Sequence, residues 1–530
     1  MLIKKKLVIL STLVLFLSFE SFAQTIFFTD SNDVPNEQLQ ENFTIIMSEN
    51  NLNLDPHTSS LSSEAQIFTG LYEGLFSYDP SSLEPNYALA TEYKISRDKK
   101  RWTFTIRDDA KFSDGTPITA YSVKDSWLAL LTEQNAPYAS LFYIIKGAKE
   151  FHSKLCSAED VGIKALDDYT ISITLTAPTA HLPKLLCMSA FAVKNSNPFI
   201  SSGPFYITEH NESFLILRKN EYYYDCKKTL LKQITIIFSD NEEENTHAFN
   251  TGIADWISAP VDIKKLISKK ATQISAEYAT EYIFFKENPN SIWNNADFRL
   301  ALLEAIPWEK LRENTFVKAQ TLVYPLNGYP KVEGFYYTDL IESKKLMEQA
   351  RERLRISKEE IIPIVFAITN SEQMKAKADL LKEAWKELGV ELTTITIDTS
   401  EYLNNITQIP ADLFSYIWIG DFADPLAFLE LFRSNSTLNV TNWKSEQYDK
   451  LLDEAAFYTD ENHVKILAQA EQYLLNQGLI IPIQHPVSLN IIDLSAVGGW
   501  SVNSFNIHPL KYLFKKEQKL NIPNIVLNYW

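Results

Sequence analysis

Leu413-Phe414-Ser415-Tyr416-Ile417-Trp418-Ile419-Gly420-Asp421-Phe422-Ala423-Asp424-Pro425 sets an apolar strand, a carboxylate and a helix start in direct succession. The run from Leu413 to Ile419 has the near-continuous β-branched and aromatic character of a buried strand. Gly420 ends it where the backbone could approach a ligand closely. Asp424 and Pro425 read as N-cap and first helical residue of a helix running from Leu426 to Phe432. Asp421 stands bare between the two elements. Taken alone, a carboxylate there reads first as a solvated turn residue and only second as a ligand group.

Outward from this stretch the C-terminal half keeps alternating. Tyr282 to Phe285 reads as a strand, and Phe298 to Ile306 as a helix stopped by Pro307. Leu340 to Leu354 is helical, Ile362 to Ile368 a strand, Met374 to Leu388 a helix ended by Gly389, and Val390 to Ile397 a strand. Helices from Ser445 to Phe457 and from His463 to Gln477 follow. This rhythm predicts an α/β lobe. Toward the N-terminus, Ser62 to Phe76 reads as a helix capped among Ser59 to Ser63, with Ile67, Leu71 and Leu75 on one face. Arg101 to Arg107 alternates as a half-buried strand. Asp114-Gly115 forms a turn apex, and Thr119 caps a helix carrying Val123, Trp127 and Leu131.

At 530 residues the chain is long enough for two or three domains, and 45% hydrophobic with 22% charged is a globular composition. Lys4, Lys5 and Lys6 precede the apolar run Leu7 to Phe19, and Ser21-Phe22-Ala23 has the small-x-small form of a signal-peptidase site. Export with cleavage after Ala23 is therefore expected. The apolar run spans roughly 13 residues, short of the about 20 a membrane span needs. No cysteine follows the predicted cut, so no lipid anchor is expected there. Cleavage removes three lysines and Glu20, which takes the formal charge from −17 to −19. So acidic a body argues against nucleic acid as a partner. Cys156, Cys187 and Cys226 are too few and scattered for a disulfide framework or zinc site, though one disulfide could form between some pair.

Four segments carry a resemblance, in order: Leu71-Tyr72-Glu73-Gly74-Leu75, Trp102-Thr103-Phe104-Thr105-Ile106-Arg107, Lys111-Phe112-Ser113-Asp114-Gly115-Thr116-Pro117-Ile118-Thr119-Ala120 and Ser202-Gly203-Pro204-Phe205. They resemble the family 5 extracellular solute-binding proteins, the peptide-binding group of ABC-importer receptors. The likeness runs on through Val161 to Asp168, Arg218 to Tyr223, Phe298 to Ala301, Gly389-Val390-Glu391 and the opening stretch. It implies a bilobed α/β periplasmic-binding-protein fold (type II, cluster C-like) with an extra domain in the first lobe and a hinge between lobes. The expected division is a signal peptide over 1–23, a first-lobe core from 24–72 with 195–280 and 497–530, an extra domain over 73–194, and a second lobe over 281–496.

The same resemblance implies a periplasmic, monomeric, non-catalytic receptor that takes short peptides and serves ABC permease subunits in the inner membrane. Asp421 matches the aspartate that pairs with a ligand's α-amino group, and Trp418 occupies the matching tryptophan position. Backbone around Ile417, Ile419 and Gly420 could bond an extended peptide main chain. On the facing lobe, the loop Ser60-Leu61-Ser62 matches one that supplies backbone contacts, and Tyr138 matches a cleft tyrosine. The plain alternatives are that Ser60 and Ser62 cap a helix and that Tyr138 is core. Where relatives carry basic groups suited to ligand carboxylates, this chain has Met374 and Ile406, so the far end of the ligand is expected to be recognised differently.

Catalysis finds no support in spacing. The eight histidines are widely scattered, with no pair at helical spacing beside a third carboxylate, and there is no nucleophile elbow or phosphate loop. No cofactor or metal site is expected, and Glu242-Glu243-Glu244 reads as a solvated loop rather than a cation site. The rival readings are another solute in the same fold, such as an oligosaccharide or metal chelate, and a chaperone-like exported binding protein.

Overall fold

Runs of Ile, Phe and Leu gather into two large sheets, one per lobe. The computed structural model describes residues 41–516 apart from 49–51, 180, 290, 327, 399–400, 403–405, 423 and 459. The predicted signal peptide, its cleavage site and the ends of the first-lobe segments lie outside the described residues.

The first sheet has seven strands, in the order Thr272–Ala276, Val487–Ile492, Trp256–Ser258, Asn42–Met47, Gln233–Phe238, Phe214–Lys219 and Phe205–His210. Asn42–Met47 lies between two parallel partners. Its period-two alternation sends Phe43, Ile45 and Met47 into one apolar cluster and Ile46 into another, so both faces are covered. Helix Ser62–Leu71 seals the first of these with Ile67, Phe68 and Leu71, each contributing about 1.5–3 kcal/mol by burial. That helix stops at Leu71 instead of the expected Phe76. Backbone bonds draw the following residues into extended chain: Gly203 N–H donates to Leu71 O at 3.0 Å and Val193 N–H to Glu73 O at 2.9 Å. Leu75 consequently packs in a different core.

The second sheet runs Val317–Lys318, Ile480–His485, Ala279–Phe285, Leu413–Ile419, Ile362–Thr369 and Val390–Ile397. The predicted βαβ unit is present: Ile362–Thr369 and Val390–Ile397 pair in parallel, joined by helix Glu372–Lys386, which starts and ends two residues earlier than read. Between residues 73 and 194 stands the smaller sheet Ala90–Ile95, Arg101–Ile106, Thr170–Thr174 and Ile163–Asp167. Helix Ala120–Thr132 packs on it, opened by a Thr119–Ser122 capping box and burying Val123, Trp127, Leu130 and Leu131. The Asp-Gly turn is present, with Gly115 at φ +86° and Asp114 Oδ1 accepting from Thr116 N at 2.9 Å. The acidic run Glu242-Glu243-Glu244 is not a loop but the first turn of helix Glu242–Asn250, where carboxylates complement the helix dipole.

Chain passes between the large sheets at Glu277-Tyr278 and again at Pro486, and Glu277 N–H donates to Pro486 O at 3.0 Å. This moves one expected boundary. Val487–Ile492, assigned to the second lobe by the 281–496 division, is paired in the first-lobe sheet with Trp256–Ser258 and Thr272–Ala276. A single proline separates two equally apolar strands there, so composition gives no linker signal at the crossing.

Candidate functional site

The strand Leu413–Ile419 pairs antiparallel with Ala279–Phe285 along its whole length, from Leu413↔Phe285 to Ile419↔Ala279. Its other edge meets Ile362–Thr369 only at Leu413 and Phe414. Among the described residues no strand covers that edge from Tyr416 to Ile419. Gly420 then prolongs the pairing by one bond, its N–H donating to Tyr278 O at 2.7 Å. A Cβ at Gly420 would stand 2.4 Å from Tyr278 Cε1. The close approach expected at this glycine is therefore made by the Tyr278 ring. Trp418 is buried, with its Nε1–H donating to Ala427 O at 2.8 Å, and so fastens the turn that follows.

Asp421 emerges from that turn opposite the first lobe. The Tyr138 hydroxyl donates to Asp421 Oδ1 at 3.2 Å, and the Tyr78 hydroxyl donates to the Asp421 main-chain oxygen at 2.6 Å. Both tyrosines come from the 73–194 stretch. Burial raises the Asp421 carboxyl from its ordinary 3.8 to about 7, against the opposing effect of the Tyr138 hydrogen bond. Burial likewise pushes the Tyr138 hydroxyl well up, and the neighbouring Asp421 charge adds to it, so Tyr138 remains a donor. Further cross-lobe bonds lie nearby. Ser140 N–H donates to Thr437 Oγ1 at 3.2 Å, and the Thr437 hydroxyl donates to Pro137 O.

Asp421 and Tyr138 line a cavity of about 70 Å³ together with Ser60, Leu61, Tyr72, Tyr78, Glu73 and Lys511. Of the residues singled out in the sequence, this cavity gathers Asp421, Tyr138, Ser60 and Leu61. Ser62, Ile417, Trp418, Ile419 and Gly420 lie outside its wall. Neither Ser60 nor Ser62 caps the helix: the cap position falls on Leu61, which makes no side-chain cap bond. Met374 is half-buried against the second-lobe core and Ile406 is buried in it; neither lines the cavity. Three residues on from Met374, the buried Lys377 pairs with Glu281, whose other oxygen accepts from Gln484 Nε2 at 2.5 Å.

Glu73, Lys511 and Tyr78 are among the wall residues that sequence reading did not assign to the site. Glu73 and Lys511 form a buried pair at 3.1 Å, with Glu73 also accepting from the Tyr223 hydroxyl. Burial opposes the Lys511 charge, but Glu73 together with Tyr224 and Tyr512 outweighs it and raises the pKa. Glu73 lies within a quoted motif, whereas nothing local marks Lys511. All three cysteines are free thiols, Cys187 among the wall residues.

Beyond the turn, the expected seven-residue helix is a short one, Leu426–Leu429, followed by a 3₁₀ turn at Glu430–Phe432. Pro425 takes the cap position. Asp424 Oδ1 accepts from Leu426 N at 2.9 Å, but its carboxylate otherwise faces His463, with Oδ2 2.9 Å from Nε2. His181 completes a group of three whose ligand-type atoms lie within 4.8 Å of one another. The apparent scatter of the histidines along the sequence is thus closed up by the fold.

A family profile, described as bacterial extracellular solute-binding proteins, family 5 middle region, matches residues 84–439. The oligopeptide-binding protein OppA of Bacillus subtilis is 28% identical over 462 residues, covering 81% of this chain and 85% of its own. Among solved structures, the murein tripeptide binding protein MppA of Escherichia coli superposes with TM-score 0.78 at 22% identity, covering 90% of this chain and 99% of that one. OppA of Listeria monocytogenes bound to peptide gives 0.76 at 22%, with the same coverages. These matches show the bilobed type II arrangement that the segments of the sequence imply. Among the described residues no helix is long and apolar enough to cross a membrane.

Proposed function

The chain belongs to the family 5 bacterial extracellular solute-binding proteins, and from that premise we propose that it is the exported peptide receptor of an ABC importer, closing two lobes over a short peptide and passing it to a membrane permease. One observation carries the peptide reading. Asp421 stands where the lobes meet, a carboxylate that burial holds near pKa 7 with one side-chain donor among the described residues. A desolvated carboxylate without a cation is costly, and an ammonium enclosed with it offsets the cost. The free α-amine of a peptide is such a cation.

The uncovered edge of Tyr416–Ile419 supports the same reading, because an extended main chain can add to an unpaired strand edge and bond there without regard to its side chains. Ser60, Leu61 and Tyr138 close the wall opposite. Trp418 acts by holding the turn that presents Asp421. Ligand-driven closure then proceeds about the two crossings at Glu277-Tyr278 and Pro486.

Calorimetry with free and N-acetylated forms of a short peptide tests this. Asp421→Asn should weaken the free peptide by roughly two to four orders of magnitude, since losing one partner of a buried pair costs about 3–5 kcal/mol and about 1.4 kcal/mol is tenfold. Acetylation should cost the wild type most of its binding and the variant proportionally less, and the coupling term of the cycle isolates the amine–carboxylate pair. Equal binding of both peptide forms by the wild type would sink the assignment of Asp421 as amine anchor.

A further inference from the structure

We propose that His181, Asp424 and His463 form a site for one divalent transition-metal ion of zinc type, and that this ion ties the two lobes together. His181 comes from the extra domain of the first lobe, while Asp424 and His463 come from the second. Their donor atoms lie within 4.8 Å of one another. Two imidazoles and a carboxylate form a donor set that suits zinc and its neighbours, with a fourth position left for water or a solute group. A ligand set at metal–donor distances of about 2.0–2.2 Å needs donors roughly 3.3 Å apart, so binding the ion draws these three groups, within 4.8 Å of one another here, closer together.

The surroundings are those of a metal site. Asp424 and His463 keep only 13% and 12% of their side-chain surface exposed. His463 Nδ1 lies 2.9 Å from Ala455 O. A proton held there leaves the Nε2 lone pair directed at the group, the outer-shell arrangement that orients metal-bound imidazoles. That tautomer sets two acceptors, Nε2 and the Asp424 carboxylate, against each other at 2.9 Å, and a shared cation resolves the conflict.

An ion pair of His463 with Asp424 could do so with a proton alone, but it gives no role to His181. The His181 ring makes no hydrogen bond among the described residues. It is held in orientation by stacking on Phe422, centroids 5.8 Å apart and planes within 5°, and lies 6.2 Å from the His463 ring. A third donor supplied from the opposite lobe is what a bridging metal requires. Because all three donors meet only when the lobes are together, the ion binds the closed arrangement and favours it by mass action. The site does not depend on which solute the cleft takes.

The test uses the whole exported chain, free of any polyhistidine tag and stripped with a chelator. Cobalt(II) serves as the probe for its visible d–d absorption. The expected result is one equivalent bound, with the intense bands of a four-coordinate ion, displaced by zinc. His181→Ala and His463→Ala should each weaken binding by more than about a hundredfold, beyond the roughly 10–100-fold that loss of an outer-shell partner costs. Small-angle scattering should show a zinc-dependent compaction that His181→Ala lacks. His181→Ala is the critical variant, since it breaks no hydrogen bond and circular dichroism can verify its fold. Absence of stoichiometric binding overturns the proposal. So does undiminished binding by His181→Ala, which would put the ion on one lobe or elsewhere.

Discussion

The Tyr138 hydroxyl bonds Asp421 Oδ1 at 3.2 Å across 283 positions of sequence, joining the 73–194 stretch to the end of the strand Leu413–Ile419. It is the one side-chain donor to that carboxylate among the described residues. Its effect on Asp421 is electrostatic as well as steric, because it favours the ionised form against burial.

Affinity for a free-amine peptide should therefore depend on pH in a defined direction. Asp421 must ionise to pair with ammonium, so affinity should rise from about pH 5 toward pH 7, then fall above about pH 8 as the peptide α-amine, with a pKa of about 8, loses its charge. Tyr138→Phe removes a hydrogen bond to the charged form and should move the acidic limb upward in pH. Calorimetry across pH, in buffers of different ionisation enthalpy, reads both the limb and the proton released on binding. An unchanged limb in the variant would count against the bond.

Stability of the ligand-free protein should show the opposite dependence. The folded pKa of Asp421 is raised above its unfolded value, so this group costs nothing below about pH 4. Its penalty grows as pH rises from 3.8 to about 7 and is constant above. A shift of this size corresponds to on the order of 4 kcal/mol. Asp421→Asn should accordingly raise the melting temperature at pH 8 and leave it nearly unchanged at pH 4.

Lys511 and Glu73 tie the C-terminal segment to the motif that follows helix Ser62–Leu71. Lys511→Met leaves the Glu73 carboxylate buried without its cation and should cost about 3–5 kcal/mol in denaturant titrations. Adding Glu73→Gln should restore much of that loss, because the stranded charge is gone.

Thr437 joins the lobes without lining the cavity, through its bonds with Ser140 N–H and Pro137 O. Thr437→Val leaves both groups unmet when the lobes are together, a penalty of about 1–3 kcal/mol on each. Peptide affinity should fall by about tenfold or more, and scattering of the ligand-free protein should report a larger radius. An unaltered radius and affinity would show that this contact does not bias closure.

Much of the architecture is legible in local sequence. The period of the apolar residues marks Val390–Ile397 and Leu340–Leu354 at their observed bounds, and Thr119 marks the start of its helix. Such signals are legible because capping and periodicity act within a few residues. The strand, Gly420 and Asp421 are readable as a unit for the same reason. Where a helix ends because distant backbone pulls the chain away, as at Leu71, the signal lies some 130 residues off in Ser201 and Gly203 and no local pattern carries it.

What the sequence by itself determined is the order of strands and helices, the family resemblance, and the carboxylate left bare at the end of a buried strand. Tertiary structure alone decided what surrounds that carboxylate. It raised Asp421 toward neutral pKa by enclosing it, set Tyr138 and Tyr78 against it from another domain, paired Glu73 with Lys511, and brought His181 to Asp424 and His463. Burial and long-range charge depend on distance through space, and residues hundreds of positions apart become neighbours only when the sheets close.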